Sequence, residues 1–234
     1  MKQHPTPAQQ SGFSLIEMAV VMVVLGLALG GLLMPLSVQI ENSARKETQT
    51  EMAVIKEALM GFAMANGRLP CPDTTGDGQE NQTALLCTRA YGDLPHGTLG
   101  VGIDDAWSRA YAYLVSADFA DQTAGTACGT APSSGASFAL CSTGNLTVQD
   151  RAGNIVADQL SAIITSHGKH NLLPGRSVSE RSNFDTARVP SGGSNLVRIK
   201  DSYSETTGAE LDDLIDWVSP AVLQSKMVTA GWLP

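Results

Sequence analysis

The feature that most constrains this chain is an apolar run near its N-terminus. Every residue at positions 13–34 is apolar or small except Ser14 and Glu17. As a helix this run is about 33 Å long, which matches the hydrocarbon core of a bilayer. It is longer than a secretory signal peptide usually carries, and no small-x-small cleavage site follows it. The polar segment 1–12 ends in Gly12, so cleavage before the helix fits better than cleavage after it, and a plain anchor or signal peptide is the alternative.

Glu17 is the exception within the apolar run. A carboxylate there costs on the order of 2–3 kcal/mol to insert and persists mainly where it has a partner. No basic residue lies within one helical turn of it in the same chain. Cleavage after Gly12 would create a cationic amine at Phe13, one turn away, so the sequence predicts an intermolecular pair between this amine and Glu17.

The hexapeptide Gly-Phe-Ser-Leu-Ile-Glu at positions 12–17 resembles the prepilin motif of type IV pilins and type II secretion pseudopilins. The resemblance implies that a prepilin peptidase cuts between Gly12 and Phe13, that Phe13 is then N-methylated, and that Glu17 serves filament assembly. It implies further partners, namely other pilins or pseudopilins and an inner-membrane assembly platform. It also implies a single-pass inner-membrane precursor that later enters a pilus or pseudopilus.

Helical periodicity continues beyond the apolar run. Pro35 is expected to end or kink the helix, because it lacks an amide donor. Over 35–66, Met52, Ile55, Leu59 and Phe62 form one apolar stripe that we expect to pack against a sheet. Asn66-Gly67 is a helix stop signal.

From residue 67 onward the sequence predicts a globular domain, 67–234, of short strands and turns. Strands are predicted at 111–115, 137–140, within 155–165 and at 196–199. The residues at 211–218 share one helical face and predict a docking helix, and 175–193 is predicted to be an exposed loop. The expected fold class is α+β: a long N-terminal hydrophobic helix and a globular domain with an antiparallel sheet. The resemblance implies the ladle shape of pilins, in which the helix is the handle.

The four cysteines, Cys71, Cys87, Cys128 and Cys141, lack zinc-site spacing. Their even number suits two disulfides, with Cys71–Cys87 and Cys128–Cys141 as the shortest connectivity; buried free thiols and a metal site are the alternatives. Disulfides would place the domain in an oxidising compartment. Charges on both sides of the apolar run do not decide its orientation, whereas the cysteines and the resemblance favour a periplasmic domain.

Candidate ligand and catalytic motifs are weak. Asp73, Thr75, Asp77 and Gly78 resemble the start of a calcium loop, but Ala84 stands where an EF-hand needs Glu. We therefore expect a disulfide-closed turn and no metal or other cofactor. The segment Asp105-Ala106-Trp107-Ser108-Arg109-Ala110-Tyr111 is similar to the D-P-W-G-x-x-Y segment of pseudopilin domains, which implies a buried Trp107 and a strand beginning at Tyr111.

No catalytic constellation is evident. Ser166-His167 lacks a nucleophile elbow, and His167 and His170 lack a third ligand, so the chain is not expected to be an enzyme. A net charge of −8 disfavours nucleic acid as a partner. The sequence favours a structural subunit, a minor pilin or pseudopilin, with a tip-located adhesin or DNA-uptake pilin as the alternative.

Overall fold

The computed structural model describes residues 14–121, 135–170, 177–184 and 197–234, with the backbone alone at positions 29 and 31–36. The chain divides into two compact units, Met1–Ser43 and Ala44–Pro234. The described elements, in chain order, are α1 (Leu15–Asn66), β1 (Gln82–Thr83), β2 (Leu86–Cys87), β3 (Tyr91–Asp93), α2 (His96–Leu99), β4 (Ala112–Val115), α3 (Ala117–Ala120), β5 (Leu146–Gln149), β6 (Ile155–Leu160), β7 (Ala162–Ser166), α4 (Val178–Asn183), β8 (Val197–Ile199), β9 (Leu214–Val218) and α5 (Pro220–Thr229).

Helix α1 has the C-terminus that the sequence predicts. It ends at Asn66, and Gly67 follows with a φ of 75°. The Gly67 amide donates to Ala63 O at 2.8 Å, so a left-handed glycine closes the last turn. The helix does not end at Pro35, because α1 is continuous through that position.

In the first unit, the large apolar side chains from Leu15 to Leu27 are exposed, with accessible fractions from 47% to 91%. Within the described part of the chain, no helix combines the length and the apolar content needed to cross a membrane.

The second unit is built on a four-stranded antiparallel sheet in the order β3-β4-β7-β9. A second sheet, β6-β5-β8, is mixed, since β5 pairs antiparallel with β6 and parallel with β8. A short hairpin, β1-β2, stands apart from both sheets. The fold is therefore α+β with an antiparallel main sheet, as predicted.

Both faces of the main sheet are covered. On one face, Tyr113, Ile164 and Val218 pack into a cluster with the helix residues Met52, Ile55 and Leu59. On the other face, Leu114, Ile163 and Ile215 pack against Leu146, Val148 and Leu160 of the second sheet. The predicted apolar stripe of α1 is thus core, with Phe62 half-buried at its end.

In the tail 211–218, the predicted docking helix does not form, and Leu214–Val218 form strand β9. β9 pairs with β7 from Ser166↔Leu214 to Ala162↔Val218. Leu214 and Val218 face one core cluster while Ile215 and Trp217 face the other. A strand that is buried on both faces lacks the apolar–polar alternation of a strand with one face in solvent. The apolar residues of β9 therefore recur at a spacing that is also typical of a helix.

The docking helix of the C-terminus is α5, which follows β9. Its Leu223 and Met227 are buried in the core. Beyond it, Trp232 Nε1 donates to Met64 O at 2.7 Å and so satisfies one of the last carbonyls of α1.

The remaining strand predictions divide into three outcomes. β4 confirms the strand at 111–115, β8 confirms the described part of 196–199, and 155–165 contains two strands, β6 and β7, which belong to different sheets. No strand forms at 137–140, because Ser137 donates its amide to Gly67 O and its hydroxyl to Phe119 O. The described part of the predicted loop 175–193 contains a helix, α4, whose N-cap Ser177 accepts from Glu180 N.

Candidate functional site

The start of α1 is organised by a reciprocal pair of hydrogen bonds between Ser14 and Glu17. Glu17 N donates to Ser14 Oγ at 3.3 Å. In return, Ser14 N and Ser14 Oγ donate to Glu17 Oε2 at 2.9 and 3.0 Å. This is a capping box, which satisfies amides that the first helical turn leaves without intrahelical acceptors. Glu17 therefore has a role within its own chain in addition to the predicted role between subunits.

The spacing Ser-x-x-Glu before an apolar run is a readable sequence signal for such a box. Our sequence interpretation considered Glu17 only as an unpaired charge and so missed Ser14. A carboxylate in the first turn also lies at the positive end of the helix dipole, which stabilises the charge.

The predicted cleavage pair, Gly12 and Phe13, lies outside the described residues. Its processing and methylation remain predictions, as does the intermolecular use of Glu17. Ser14, the first described residue, is the N-cap of α1, which begins at Leu15. A new N-terminus at Phe13 would directly precede the capping box.

A disulfide closes the segment that follows α1. Cys71 and Cys87 are bonded, which confirms the first predicted pairing. Cys141 is also in a disulfide, and the remaining cysteine, Cys128, lies outside the described residues. Inside the Cys71–Cys87 loop, Glu80 receives two hydrogen bonds of 2.7 Å from Arg68 and one of 3.0 Å from Cys71 N.

The calcium-like segment uses its first carboxylate to close a turn. Asp73 Oδ1 accepts from Thr75 N and Gly76 N at 2.8 and 2.7 Å, and Oδ2 accepts from Gly78 N at 2.6 Å. Burial by itself would raise the pKa of Asp73, but these hydrogen bonds outweigh it and hold the pKa below the usual value. Both oxygens point at backbone donors, which favours the disulfide-closed turn over a calcium loop.

The segment with Trp107 forms a tight turn around Asp105. Asp105 Oδ1 accepts from Trp107 N at 2.9 Å and from Arg109 N at 3.1 Å. Ser108 adopts a φ of 60°, the left-handed conformation that a glycine would take without strain. Tyr111 is buried and directly precedes β4, whereas Trp107 is only half-buried because the turn holds it near the surface.

The candidate catalytic residues at the end of β7 are each engaged with a different carboxylate. Ser166 Oγ donates to Asp105 Oδ2 at 2.6 Å. His170 Nδ1 lies 2.9 Å from Asp212 Oδ2, and His167 Nδ1 lies 3.7 Å from Asp213 Oδ1. The serine is thus bonded to a carboxylate and not to an imidazole that could act as its base.

One group of metal-ligating side chains lies at the Cys71–Cys87 disulfide. Across the described ranges, the one cluster of metal-ligating side chains is Cys71, Cys87 and Asp121. Its two sulfurs are joined to each other in the disulfide and are not thiolates.

Comparison with known families identifies the N-terminal segment. Residues 7–33 match the family model described as the prokaryotic N-terminal methylation motif. Comparisons with curated proteins and with solved structures find no match.

Proposed function

Residues 7–33 carry a methylation motif characteristic of type IV pilins and pseudopilins, and from this premise we propose that the chain is a minor filament subunit of a type IV pilus or a type II secretion system. A prepilin peptidase cuts between Gly12 and Phe13, and Phe13 is N-methylated. The precursor waits in the bacterial inner membrane with its C-terminal domain in the periplasm, and the mature chain then joins the filament.

The observation that carries this proposal is the motif together with the exposed apolar helix that follows it. The large apolar side chains between Leu15 and Leu27 are 47–91% exposed in the single chain. So continuous an apolar surface needs a cover. Lipid supplies this cover before assembly, and the equivalent helices of neighbouring subunits supply it afterwards.

In this proposal, Glu17 sets how the N-terminal helices of neighbouring subunits align. Cleavage leaves a positive amine at Phe13, and Glu17 of a neighbouring subunit offers the opposite charge in an apolar surrounding, where such a pair is strong. The capping box holds the carboxylate at the beginning of the helix through Ser14. Each subunit then provides one amine and one carboxylate, an arrangement that repeats along a filament.

Other features support the location and the minor role. The Cys71–Cys87 disulfide is typical of oxidising compartments such as the periplasm. The second unit, Ala44–Pro234, is larger than is usual for a major subunit of the family that the motif indicates. We propose contacts with other pilins or pseudopilins and with an inner-membrane assembly platform.

The decisive experiment measures the mature N-terminus and then filament entry. Mass spectrometry of the purified full-length protein should find N-methyl-phenylalanine at position 13; an intact Met1 or a start elsewhere would overturn the proposal. Glu17→Ala should still be cleaved, but its content in sheared filaments should fall at least about tenfold, since a charge pair in an apolar surrounding is lost. Normal entry of this variant would remove Glu17 from the assembly mechanism.

A matched control separates the charge of Glu17 from its hydrogen bonds. Glu17→Gln keeps an oxygen that can accept from Ser14 but has no charge to offer an amine. If the charge is what matters, Glu17→Gln should behave as Glu17→Ala does. Recovery of filament entry by Glu17→Gln would point to the capping box alone.

A further inference from the structure

A cavity of about 340 Å³ opens in the second unit. Its lining comes from α1, from β9 and the residue before it, and from the segment that follows β8. The apolar part of the lining consists of Met52, Leu214 and Ile215. We call this the Lys200 cavity, after a cation that lines it. Its volume is within the range of small-molecule sites, which is roughly 300–1,000 Å³.

Lys200 is a half-buried cation in this lining. Its Nζ donates to Ile215 O at 2.7 Å and lies 4.6 Å from the centre of the Trp217 ring. Within the described part of the chain, Lys200 forms no salt bridge with a carboxylate. Burial lowers the pKa of Lys200, and the attraction of Asp216, which by itself would raise this pKa, does not offset the burial. An anion in the cavity would supply the charge that this environment lacks.

The three aspartates of the lining are bonded to other groups. Asp216 receives two hydrogen bonds, of 3.0 and 2.8 Å, from Lys56. Asp213 accepts from Asn183 at 2.8 Å, and Asp201 accepts from the backbone amide of the next residue at 2.6 Å. Because these carboxylates are held by their own partners, none of them is the direct counterion of the lysine.

Arg45 adds a second cation to the lining. Its guanidinium lies over the Tyr203 ring, 3.8 Å from the ring centre. Stacking on a ring orients the plane of a guanidinium, whose fork of N–H groups matches the two oxygens of a carboxylate. The Lys200 cavity therefore combines two cations with an apolar surface.

The same lining discriminates between anions. Two cations and three carboxylates line the cavity. The aspartates would repel a phosphate with two negative charges more strongly than an anion with one. A carboxylate has one charge, and the apolar lining favours a carboxylate that is attached to a short apolar group.

We propose that the Lys200 cavity binds a carboxylate carried on a short apolar group. The carboxylate lies against Lys200 and Arg45, and the apolar group lies against Leu214 and Ile215. Both a small aliphatic acid and the C-terminus of a peptide have this chemistry. The site goes beyond the proposed filament role and does not depend on it.

The test is isothermal titration calorimetry of the full-length protein in a non-ionic detergent. N-acetyl-leucine is the probe, and N-acetyl-leucinamide is its neutral counterpart of the same shape. The carboxylate should bind at one site and at least about tenfold more tightly than the amide, since a hydrogen-bonded charge is lost in the amide. Equal binding of the two probes, or no binding of either, would overturn the proposal. Inorganic phosphate should bind at least about tenfold more weakly than N-acetyl-leucine, and tighter binding of phosphate would overturn the choice of a carboxylate.

Variants of the lysine test which charge is used. Lys200→Met removes the charge and should weaken binding of N-acetyl-leucine at least about tenfold, whereas Lys200→Arg keeps the charge and should retain most of the affinity. Lys226→Met removes an equal charge from α5, where the side chain of Lys226 is 45% exposed, and should leave the affinity unchanged. Equal affinities in the wild type and Lys200→Met would contradict the proposed site.

A blocking variant tests the site without removing the bond from Lys200 to Ile215. Gln49 lines the cavity and is exposed, so Gln49→Trp should fill the cavity without disturbing the core and should weaken binding at least about tenfold. Thr50→Trp places the same side chain at the next exposed position of α1, outside the lining, and should bind as the wild type does. Unchanged binding in Gln49→Trp would overturn the proposal.

Two further probes identify the source of the carboxylate. One is 4-methylpentanoate, a small aliphatic acid, and the other is a tetrapeptide that ends in leucine with a free carboxylate. Tighter binding of the peptide assigns the site to a protein C-terminus, and tighter binding of 4-methylpentanoate assigns it to a small acid. Failure of both to bind would overturn the proposal.

Discussion

The two units of the chain differ in the solvent exposure of their large apolar side chains. In the first unit, large apolar residues from Leu15 to Leu27 are 47–91% exposed. In the second unit, Met52, Ile55 and Leu59 of the same helix are at most 2% exposed and share a core with the main sheet. One continuous helix therefore serves two purposes. Its first part leaves large apolar side chains exposed, whereas its last part is stabilised by burial in the core of the second unit.

The two units also differ in how their polar side chains are bonded. The first unit has a local device, the capping box of Ser14 and Glu17, made by residues three apart. The second unit depends on contacts distant in sequence, such as Lys56 Nζ to Asp216 Oδ2 at 2.8 Å. Changes in the second unit should therefore alter the stability of that unit, and changes at the start of α1 should alter the first helical turn and leave the second unit as stable as before.

The largest effect on stability is expected from the disulfide. Replacing both Cys71 and Cys87 by Ser should lower the unfolding free energy of the domain by about 3 kcal/mol, the value expected for a loop with a sequence separation of 16. Denaturant unfolding of the full chain in detergent measures it. Cleavage at Gly12 should proceed as in the wild type, and a processing defect would show that the two units are not independent.

A smaller loss is expected at the Asp73 turn. Asp73→Asn should cost about 2 kcal/mol at pH 7, because the carboxylate accepts from three backbone amides. The pKa of Asp73 is lowered by folding, so its contribution is present above the unfolded value of about 4 and is lost as pH falls through the folded value. The difference between wild type and variant should therefore shrink below about pH 4. A difference that stays constant down to acid pH would show that the charge is not involved.

At the start of α1, Ser14→Ala removes the N-cap and should destabilise the first turn by about 1 kcal/mol. Hydrogen exchange of the Glu17 amide, which donates to Ser14 Oγ, should accelerate about fivefold, while the unfolding midpoint of the second unit stays unchanged. Ser14→Thr is the matched control and should retain slow exchange. Equal exchange in all three proteins would mean that the capping box contributes nothing in solution.

The smallest effect is a gain. Ser108→Gly should stabilise the second unit by about 0.5–1 kcal/mol, because Ser108 has a φ of 60° and glycine adopts this conformation without strain. A shift of the urea midpoint to higher concentration measures it. Ser108→Ala keeps the Cβ and should show no such gain; a loss on Ser108→Gly would show that the hydroxyl and not the backbone matters here.

Much of the candidate site was readable from sequence because its signals are local. The hexapeptide at 12–17, the apolar run after it and the helix stop at Asn66-Gly67 all act within a turn or two of helix. Ser14 was missed although its spacing to Glu17 was visible. A cavity of about 100 Å³ beside α1 could not be predicted, since it joins Val54 to Tyr111 through the fold of the whole domain.

The sequence by itself determined that an apolar helix follows the motif matched at residues 7–33, that the helix stops at Asn66, and that Cys71 can pair with Cys87. These properties follow from short-range chemistry: hydropathy, capping and loop length. Only the tertiary structure decided that Leu214–Val218 form a strand, because a partner strand at 162–166 and apolar layers on both faces outweigh the helical spacing of the apolar residues. It also decided that Ser166 is bonded to Asp105, since a side chain's partner across the fold is set by packing and not by neighbouring residues.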